Sequence, residues 1–423
     1  MTDDFAQRLQ SYLPTRLDEA LRWLQRMVEV NSFTANAAGV DRVGEITAEC
    51  FAELGFTAEA PASEHASFGH HLFLSRPRPG APRVVLVTHL DTVFPAEEEQ
   101  RNAFHWQPAP EEGRIYGPGT VDIKGGTVLI WLLLQGLRHC APEVFEGVDW
   151  LIAANASEEV MAVDFATRTK ERCPQGARAV LVFEGGPFVD GEHHLVTSRK
   201  GRAEYRISAR GKAAHAGSEH RTGVNAIVAL TEPVQAAAGL TDYAAELTVN
   251  IGSIQGGTVT NRVPHEAWAD LEMRAFDPAR LAKAGKAVAS FAHPAGHGNA
   301  AIEVKCLGTS PAWPDDEWTR NLARHWLAAA SELPLPLKLV KRGGLSDANY
   351  LCGLGPTLDG LGPSGGNAHC SERSADGVKL PEYVDVGSFV PKAALNALAI
   401  ARLFRTQDCK IQDRKTQDTG MED

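Results

Sequence analysis

Apolar side chains recur every three or four positions over residues 4–30, which predicts one or two amphipathic helices there. The same spacing returns at 40–54 and, more densely, at 126–136. Between these helical segments lie short apolar runs typical of buried strands, at 72–75, 84–87, 150–154 and 179–183. Strands that alternate with helices indicate an α/β layered domain with its active groups at the strand ends.

The pattern changes near residue 201. A strand, a helix, two strands, a helix and a strand are predicted in turn at 203–209, 224–238, 245–255, 267–274, 278–291 and 301–306. This order is typical of a ferredoxin-like (split βαβ) unit inserted into the larger domain. The first pattern resumes with a helix at 318–330, a strand at 336–340, a glycine-rich stretch and a helix at 391–405. We therefore predict a larger domain in two parts (1–200 and 311–405), an insertion (201–310) and a disordered tail (406–423).

Charge and composition narrow the class of protein. The 423 residues carry 42 Lys and Arg against 53 Asp and Glu, a net charge of -11, which argues against nucleic acid or an anionic membrane as partner. The acidic N-terminus is unlike a signal peptide, and the apolar run at 128–134 is far shorter than the roughly 20 residues of a membrane span. Seven cysteines without a CxxC pair argue against a disulfide framework. We expect a soluble, cytoplasmic protein.

Candidate chemistry lies where the predicted strands end. In THLDTV, His89 could bind a metal while Asp91 orients its imidazole, although both would also suit an ordinary turn. In GPGTVDIKGG, Asp122 is either a carboxylate held on a sharply turning backbone or a cap of the following helix. The glycines there match neither nucleotide-binding motif, so a phosphate cradle is disfavoured.

Four further residues are candidates by the same argument. The acidic pair Glu158–Glu159 follows a buried strand, Glu184 ends another in FEGG, and His369 lies in GPSGGNAHCS. On local grounds each is more often a solvated surface residue. Taken together, two imidazoles and three carboxylates suit two divalent ions with one bridging carboxylate, most often zinc. Spacing alone does not decide between the two interpretations.

Eight motifs in order resemble one enzyme family. From about residue 17 to residue 403, THLDTV, GPGTVDIKGG, ASEEV, FEGG, RKGRAEYRISARGKAAHAG, GGTVTNRVPHEAWADLEMR, GGLSDANY and GGNAHCSE resemble the co-catalytic zinc metallopeptidases. That family includes glutamate carboxypeptidase, succinyl-diaminopimelate desuccinylase, acetylornithine deacetylase and aminoacylase. The resemblance implies a zinc-exopeptidase-like three-layer catalytic domain whose insertion at 201–310 is a dimerisation domain that closes over the substrate.

The resemblance also assigns roles to individual residues. It implies two divalent ions per chain, Zn²⁺ with Co²⁺ or Mn²⁺ as alternatives, with Asp122 as the bridge. The implied ligands are His89, Asp122, Glu159, Glu184 and His369. Asp91 would support His89, and Glu158 would be the general base that activates a water molecule between the ions. The Asp122–Ile123 peptide bond is expected to be cis.

In the insertion, the resemblance implies that His215 reaches the partner subunit's site and stabilises the oxyanion. Asn261 and Arg274 would bind the substrate carboxylate; without the resemblance they are a turn residue and a solvated strand residue. The implied activity is amide hydrolysis by a homodimeric metallohydrolase, foremost a glutamate-type carboxypeptidase. An N-acyl amino acid deacylase is the alternative, and a catalytically silent dimeric binding protein is disfavoured. His193 and His194, near Glu184 in sequence, are expected in an exposed loop.

Overall fold

The computed structural model describes residues 2–161, 163–296 and 299–405. The helices are α1 (Thr2–Tyr12), α2 (Leu17–Val28), α3 (Ala37–Ala52), α4 (Ala96–Arg101), α5 (Lys124–Cys140), α6 (Pro142–Gly147), α7 (Val163–Glu171), α8 (Ala226–Ala238), α9 (Pro278–Ala289), α10 (Glu317–Glu332), α11 (Ala348–Leu351) and α12 (Phe389–Arg405). The strands are β1 (Thr57–Glu59), β2 (Leu72–Arg76), β3 (Arg83–His89), β4 (Gln107–Ala109), β5 (Arg114–Tyr116), β6 (Asp149–Asn155), β7 (Ala179–Val182), β8 (Phe188–Val189), β9 (Glu192–Arg199), β10 (Gly201–Arg210), β11 (Thr248–Gly256), β12 (Glu266–Ala275), β13 (Ala301–Ser310), β14 (Leu337–Arg342), β15 (Thr357–Leu358), β16 (Gly365–Gly366) and β17 (Tyr383–Asp385).

The largest sheet is covered by helices on both faces. Its strand order is β1-β2-β6-β3-β7-β15, and β3 runs parallel to both β6 and β7. Side chains alternate along β3, so Val84 and Leu86 join one hydrophobic cluster, with α5 and α12, while Val85 and Val87 join another, with α7 and α11. This alternation explains why residues 84–87 of β3 are all apolar, and the predicted three-layer α/β architecture is confirmed.

A second sheet forms the inserted unit. Strands β10 to β13 pair antiparallel in the order β11-β12-β10-β13, and α8 and α9 pack against them around a separate hydrophobic cluster. The chain order β-α-β-β-α-β is the one predicted from the hydrophobic pattern. The exact domain boundaries at 200/201 and 310/311 stay predictions.

The prediction that His193 and His194 lie in an exposed loop is wrong. Both belong to β9, which pairs parallel with β14, and His193 is buried with its ring centroid 4.8 Å from that of Phe188. Burial, together with the charge of Lys392, lowers the pKa of His193 to about 4. The strand pattern was hidden because only Leu195 and Val196 of β9 are apolar.

Two predictions made from composition, on disulfides and on membrane spans, can be compared with the described part of the chain. Its six cysteines are free thiols, in agreement with the absence of a disulfide framework. Within the described ranges, each helix is too short or too polar to cross a membrane. The predicted disordered tail, 406–423, lies outside the described residues.

Candidate metal centre

Three neighbouring parallel strands bring three of the predicted ligands, His89, Glu159 and Glu184, to the carboxyl end of the large sheet. His89 is the last residue of β3, and its register partner on β6 is Asn155. A short 3₁₀ helix, Glu158–Val160, follows β6, and Glu184 lies just beyond β7. Because parallel strands end at the same edge, side chains that are far apart in sequence meet there.

Asp122 lies between the two histidines. Its Oδ1 is 3.0 Å from Nε2 of His89, and its Oδ2 is 3.3 Å from Nε2 of His369. The Asp122–Ile123 peptide bond is cis, as the resemblance implies. The carboxylate does not cap α5, whose first turn has no side-chain cap, so the helix-cap interpretation is set aside.

The candidate ligand atoms form two groups that share Asp122. One consists of His89, Asp122 and Glu184, and the other of Asp122, Glu159 and His369; within each group the ligand atoms lie within 4.8 Å of one another. His369 Nε2 is also 3.2 Å from Oε2 of Glu159. Although His369 is exposed, it is therefore not a solvated loop residue without contacts.

Asp91 organises its neighbours from a fully buried position. Its Oδ1 is 3.3 Å from Nδ1 of His89, and its backbone carbonyl is 3.0 Å from the same nitrogen. The carboxylate also accepts hydrogen bonds from the backbone N–H groups of Glu158 (3.1 Å) and Glu159 (3.3 Å). One side chain thus orients the His89 imidazole and holds the turn that carries the two glutamates.

The charges of the site are strongly coupled. Burial opposes ionisation of Asp122, but the imidazoles of His369 and His89 outweigh it and hold the pKa of this carboxyl well below its usual range. Hydrogen bonds to Asp122 and Glu159 raise the pKa of His369 to about 10. Burial raises the pKa values of Glu158 and Glu184 well above their usual range. Buried carboxylates this close together can all be ionised only if positive charge lies among them.

The donor set fits divalent metal ions. Imidazole nitrogens and carboxylate oxygens are ligands of zinc and related borderline metals, and one carboxylate between two such groups is suited to bridge a pair of ions. The contact between the Asp91 carboxylate and Nδ1 of His89 is typical of metal-bound histidines, whose second ring nitrogen is held by a neighbouring group.

Three buried charged residues surround this centre, and sequence reasoning missed two of them, Glu382 and Asp347, while it expected Lys124 near the loop carboxylates. Oε1 of Glu382 accepts hydrogen bonds from the backbone N–H groups of Val121 (2.9 Å) and Asp122 (3.1 Å). Asp347 accepts one from the Asn155 side chain, and burial raises its pKa to about 7. Lys124 donates to the carbonyl of Val30, and burial lowers its pKa to about 8. Their local sequences carry no signal apart from a charge amid glycines or apolar residues.

The polar contacts of the three residues assigned in the insertion are with other parts of the described chain. His215 is exposed, and its Nδ1 accepts from the N–H groups of residues 217 and 218. The carbonyl of Asn261 accepts from the backbone of residue 216. Arg274 pairs with Glu272 at 2.6 Å and donates to the carbonyl of Gly343. No hydrogen bond or ion pair joins His215, Asn261 or Arg274 to the candidate ligands within the described ranges.

Comparison with known proteins places the chain in a family. The model of the M20 peptidase dimerisation domain matches residues 197–297. Carboxypeptidase G2 from Pseudomonas sp. (strain RS-16) is 26% identical over 375 residues, 88% of this chain and 86% of that protein. The uncharacterized protein YqjE from Bacillus subtilis (strain 168) is 31% identical over 289 residues, 65% of this chain and 71% of YqjE. The chain belongs to the M20 metallopeptidase family.

A solved structure has the same fold. The aminopeptidase PepT from Bacillus cereus ATCC 10987 superimposes with a TM-score of 0.73 at 23% identity, covering 92% of the M20 chain and 99% of PepT. As a member of its family, the M20 protein is a metallohydrolase, and the family uses divalent metal ions. The matched dimerisation domain indicates that it forms a homodimer.

Proposed function

We propose that this M20 enzyme is a carboxypeptidase of the glutamate type that holds two divalent ions, Zn²⁺ foremost. The ions would be held by His89, Asp122 and Glu184 on one side and by Asp122, Glu159 and His369 on the other. The observation that carries the proposal is the sharing of Asp122 between two ligand groups beside the buried Glu158. The similarity to Carboxypeptidase G2 across most of both chains supports carboxypeptidase activity, and the preference for glutamate follows from the family resemblance.

Glu158 is the group best placed to move a proton. When bound, the ions would lower the pKa of a water molecule and polarise the scissile carbonyl. Glu158 is buried, its backbone is held by Asp91, and burial raises the pKa of its carboxyl. A carboxylate with a raised pKa can keep a proton long enough to pass it on, so Glu158 takes the proton from water and gives it to the leaving amine.

In this proposal the inserted domain binds the substrate carboxylate. Arg274 suits the task because a guanidinium pairs with a carboxylate through two hydrogen bonds. In the present arrangement its Nε and Nη2 are used by Glu272 and its Nη1 by the carbonyl of Gly343. Domain closure would therefore have to exchange these contacts for the substrate and bring Asn261 and the partner's His215 to it.

The homodimer itself would form through the inserted domain. Strand β11 is an edge strand, and it carries the exposed Ile254, while α8 carries the exposed Ile227 and Val228. An unpaired edge next to exposed apolar side chains is suited to pairing with a second copy of the chain.

A substrate comparison tests the proposed activity. The zinc-loaded enzyme is incubated with folyl- and peptidyl-glutamates and, separately, with N-acetyl and N-succinyl amino acids. Release of glutamate from the first set at the higher kcat/KM supports the carboxypeptidase, whereas preference for the second set supports the N-acyl amino acid deacylase. Failure to hydrolyse either set would reject the proposed activity and favour a catalytically silent binding protein on the same scaffold.

A variant tests the proton transfer. Glu158→Gln keeps the shape of the side chain but removes the base, and we expect kcat to fall by roughly 10²–10⁴-fold. The metal content should stay that of the parent enzyme. Glu171→Gln, an exposed change at the end of α7, is the control. Near-normal turnover in Glu158→Gln would reject the assignment.

A further inference from the structure

The loop that follows β14 is surrounded by arginines, although the chain as a whole is acidic. Arg199 donates through Nη1 to the carbonyls of Gly344 (3.0 Å) and Leu345 (3.3 Å). Arg274 of the inserted domain donates to the carbonyl of Gly343. Arg342 immediately precedes these residues and is the register partner of Arg199 in the parallel pairing of β14 with β9. The loop thus joins the two domains at a point of concentrated positive charge.

Most of these cations already have a carboxylate of the protein as partner. Arg199 pairs with the buried Asp359 at 2.7 Å, and Arg274 pairs with Glu272. Lys341, next to Arg342, forms an ion pair with Glu246 at 2.9 Å and packs over the ring of Phe276.

Arg342 differs from its neighbours. It is partly exposed, and among the residues that the structure describes its guanidinium has no hydrogen bond and no ion pair. Successive side chains of a strand point to opposite sides, so Arg342 faces away from the Lys341–Glu246 pair. Register partners of paired strands point to the same side of the sheet, so Arg342 lies on the side of Arg199, and the charges of Asp359 and Glu184 act on both arginines. Partial burial and the charge of Arg199 lower the pKa of Arg342, so an anion beside it would relieve like-charge repulsion.

We propose that Arg342 binds a second carboxylate of the substrate, the side-chain carboxylate of an acidic residue, while Arg274 takes the first. The proposal rests on the proposed function, because it assigns the residue that selects the substrate at the same site. A monocarboxylate substrate would leave Arg342 without a counter-ion beside Arg199. A dicarboxylate of glutamate or aspartate type supplies one, and the planar guanidinium can receive it through two hydrogen bonds.

Matched substrates test the assignment. The same acyl group is placed on glutamate and on glutamine, which differ only in the charge of the side chain. We expect the parent enzyme to prefer glutamate by about tenfold or more in kcat/KM, since a charged hydrogen-bonded pair is lost with glutamine. In Arg342→Gln the preference should disappear, chiefly through a higher KM for the glutamate substrate with kcat little changed. Arg342→Lys should restore part of it.

Lys338→Gln is the matched control, because it removes one positive charge from an exposed position on the same strand. It should keep the preference of the parent enzyme. An equal loss on both substrates in Arg342→Gln, or hydrolysis of both by the parent enzyme without preference, would overturn the proposal. Melting temperatures of the variants separate either result from misfolding.

Equilibrium binding separates this proposal from the proposed activity. The metal-loaded full-length protein is titrated calorimetrically with glutarate and with its monoamide, which need no hydrolysis. Tighter binding of glutarate by the parent, lost in Arg342→Gln and kept in Lys338→Gln, supports the second carboxylate site even if neither substrate is cleaved. Equal affinity for the two compounds would reject it, whatever the enzyme hydrolyses.

Discussion

Oε1 of Glu382 accepts a hydrogen bond from the backbone N–H of Asp122 at 3.1 Å. The same oxygen accepts from the preceding N–H group at 2.9 Å, and Glu382 is fully buried. The carboxylate therefore holds the backbone of the residue proposed to bridge the metal ions. This contact links the segment after His369 to the glycine-rich loop before α5, two parts of the chain that are remote in sequence.

Replacing Glu382 tests this link. Glu382→Ala leaves two buried N–H groups without their acceptor, and we expect the free energy of unfolding to fall by about 1–3 kcal/mol or more. Because Asp122 is then less well held, metal affinity should also fall. Denaturant unfolding and metal titration measure the two effects. Glu382→Gln, which keeps an acceptor oxygen, is the control and should lose less; equal losses in both variants would contradict the prediction.

Metal stoichiometry tests the proposed division of ligands into two groups. His369 belongs to one group only, whereas Asp122 belongs to both. We expect His369→Ala to retain about one ion per chain where the parent retains about two, because three ligands remain around the other ion. Elemental analysis of the purified proteins gives the counts, with the exposed His220→Ala as control. Retention of both ions in His369→Ala would contradict the assignment of this histidine.

The oligomeric state tests the proposed dimer face. Val228 on α8 is 64% exposed, and a charge there would have to be buried if this face pairs with a second copy. We expect Val228→Asp to shift the protein toward monomer in sedimentation analysis. Val378→Asp, at an apolar residue that is 82% exposed outside the inserted sheet, should leave the dimer intact. A dimer of unchanged strength in Val228→Asp would place the interface elsewhere.

Stability should depend on pH through Lys392. This lysine of α12 is buried and donates to the carbonyl of Gly360, and burial lowers its pKa from 10.5 to about 7. Between these values the unfolded chain binds a proton that the folded chain does not. Stability should therefore rise with pH across this window, by up to about 1.4 kcal/mol per pH unit.

Lys392→Met removes this titration. We expect the variant to unfold with a smaller dependence on pH between 7 and about 10.5, measured by denaturant unfolding at several pH values. Lys283→Met on α9, at an exposed lysine, should keep the slope of the parent. A slope in Lys392→Met that equals that of the parent would mean that another group titrates in this range.

Local sequence patterns predicted most of the helices and strands. Hydrophobic periodicity is a property of neighbouring residues, so the apolar β3 and the alternating strands of the insertion could be recognised without knowledge of their partners. Strand β9 was missed because its first three residues are polar. It is recognisable as a strand only from its pairing with β8 and β14. The motifs likewise indicated which residue types carry the chemistry, because each lies either at a recognisable strand end or in a glycine-rich loop.

The sequence by itself determined the candidate ligands, the order of secondary structure and the family resemblance. Only the tertiary structure decided which charged residues are partnered and which are not. In the folded chain Glu382 is buried and accepts a hydrogen bond from the backbone of Asp122, and Arg274 pairs with Glu272. Arg342 has no such partner in the described part of the chain. Burial and ion pairing depend on contacts between residues that are distant in sequence, and those contacts exist only once the strands have paired and the two sheets have taken their places.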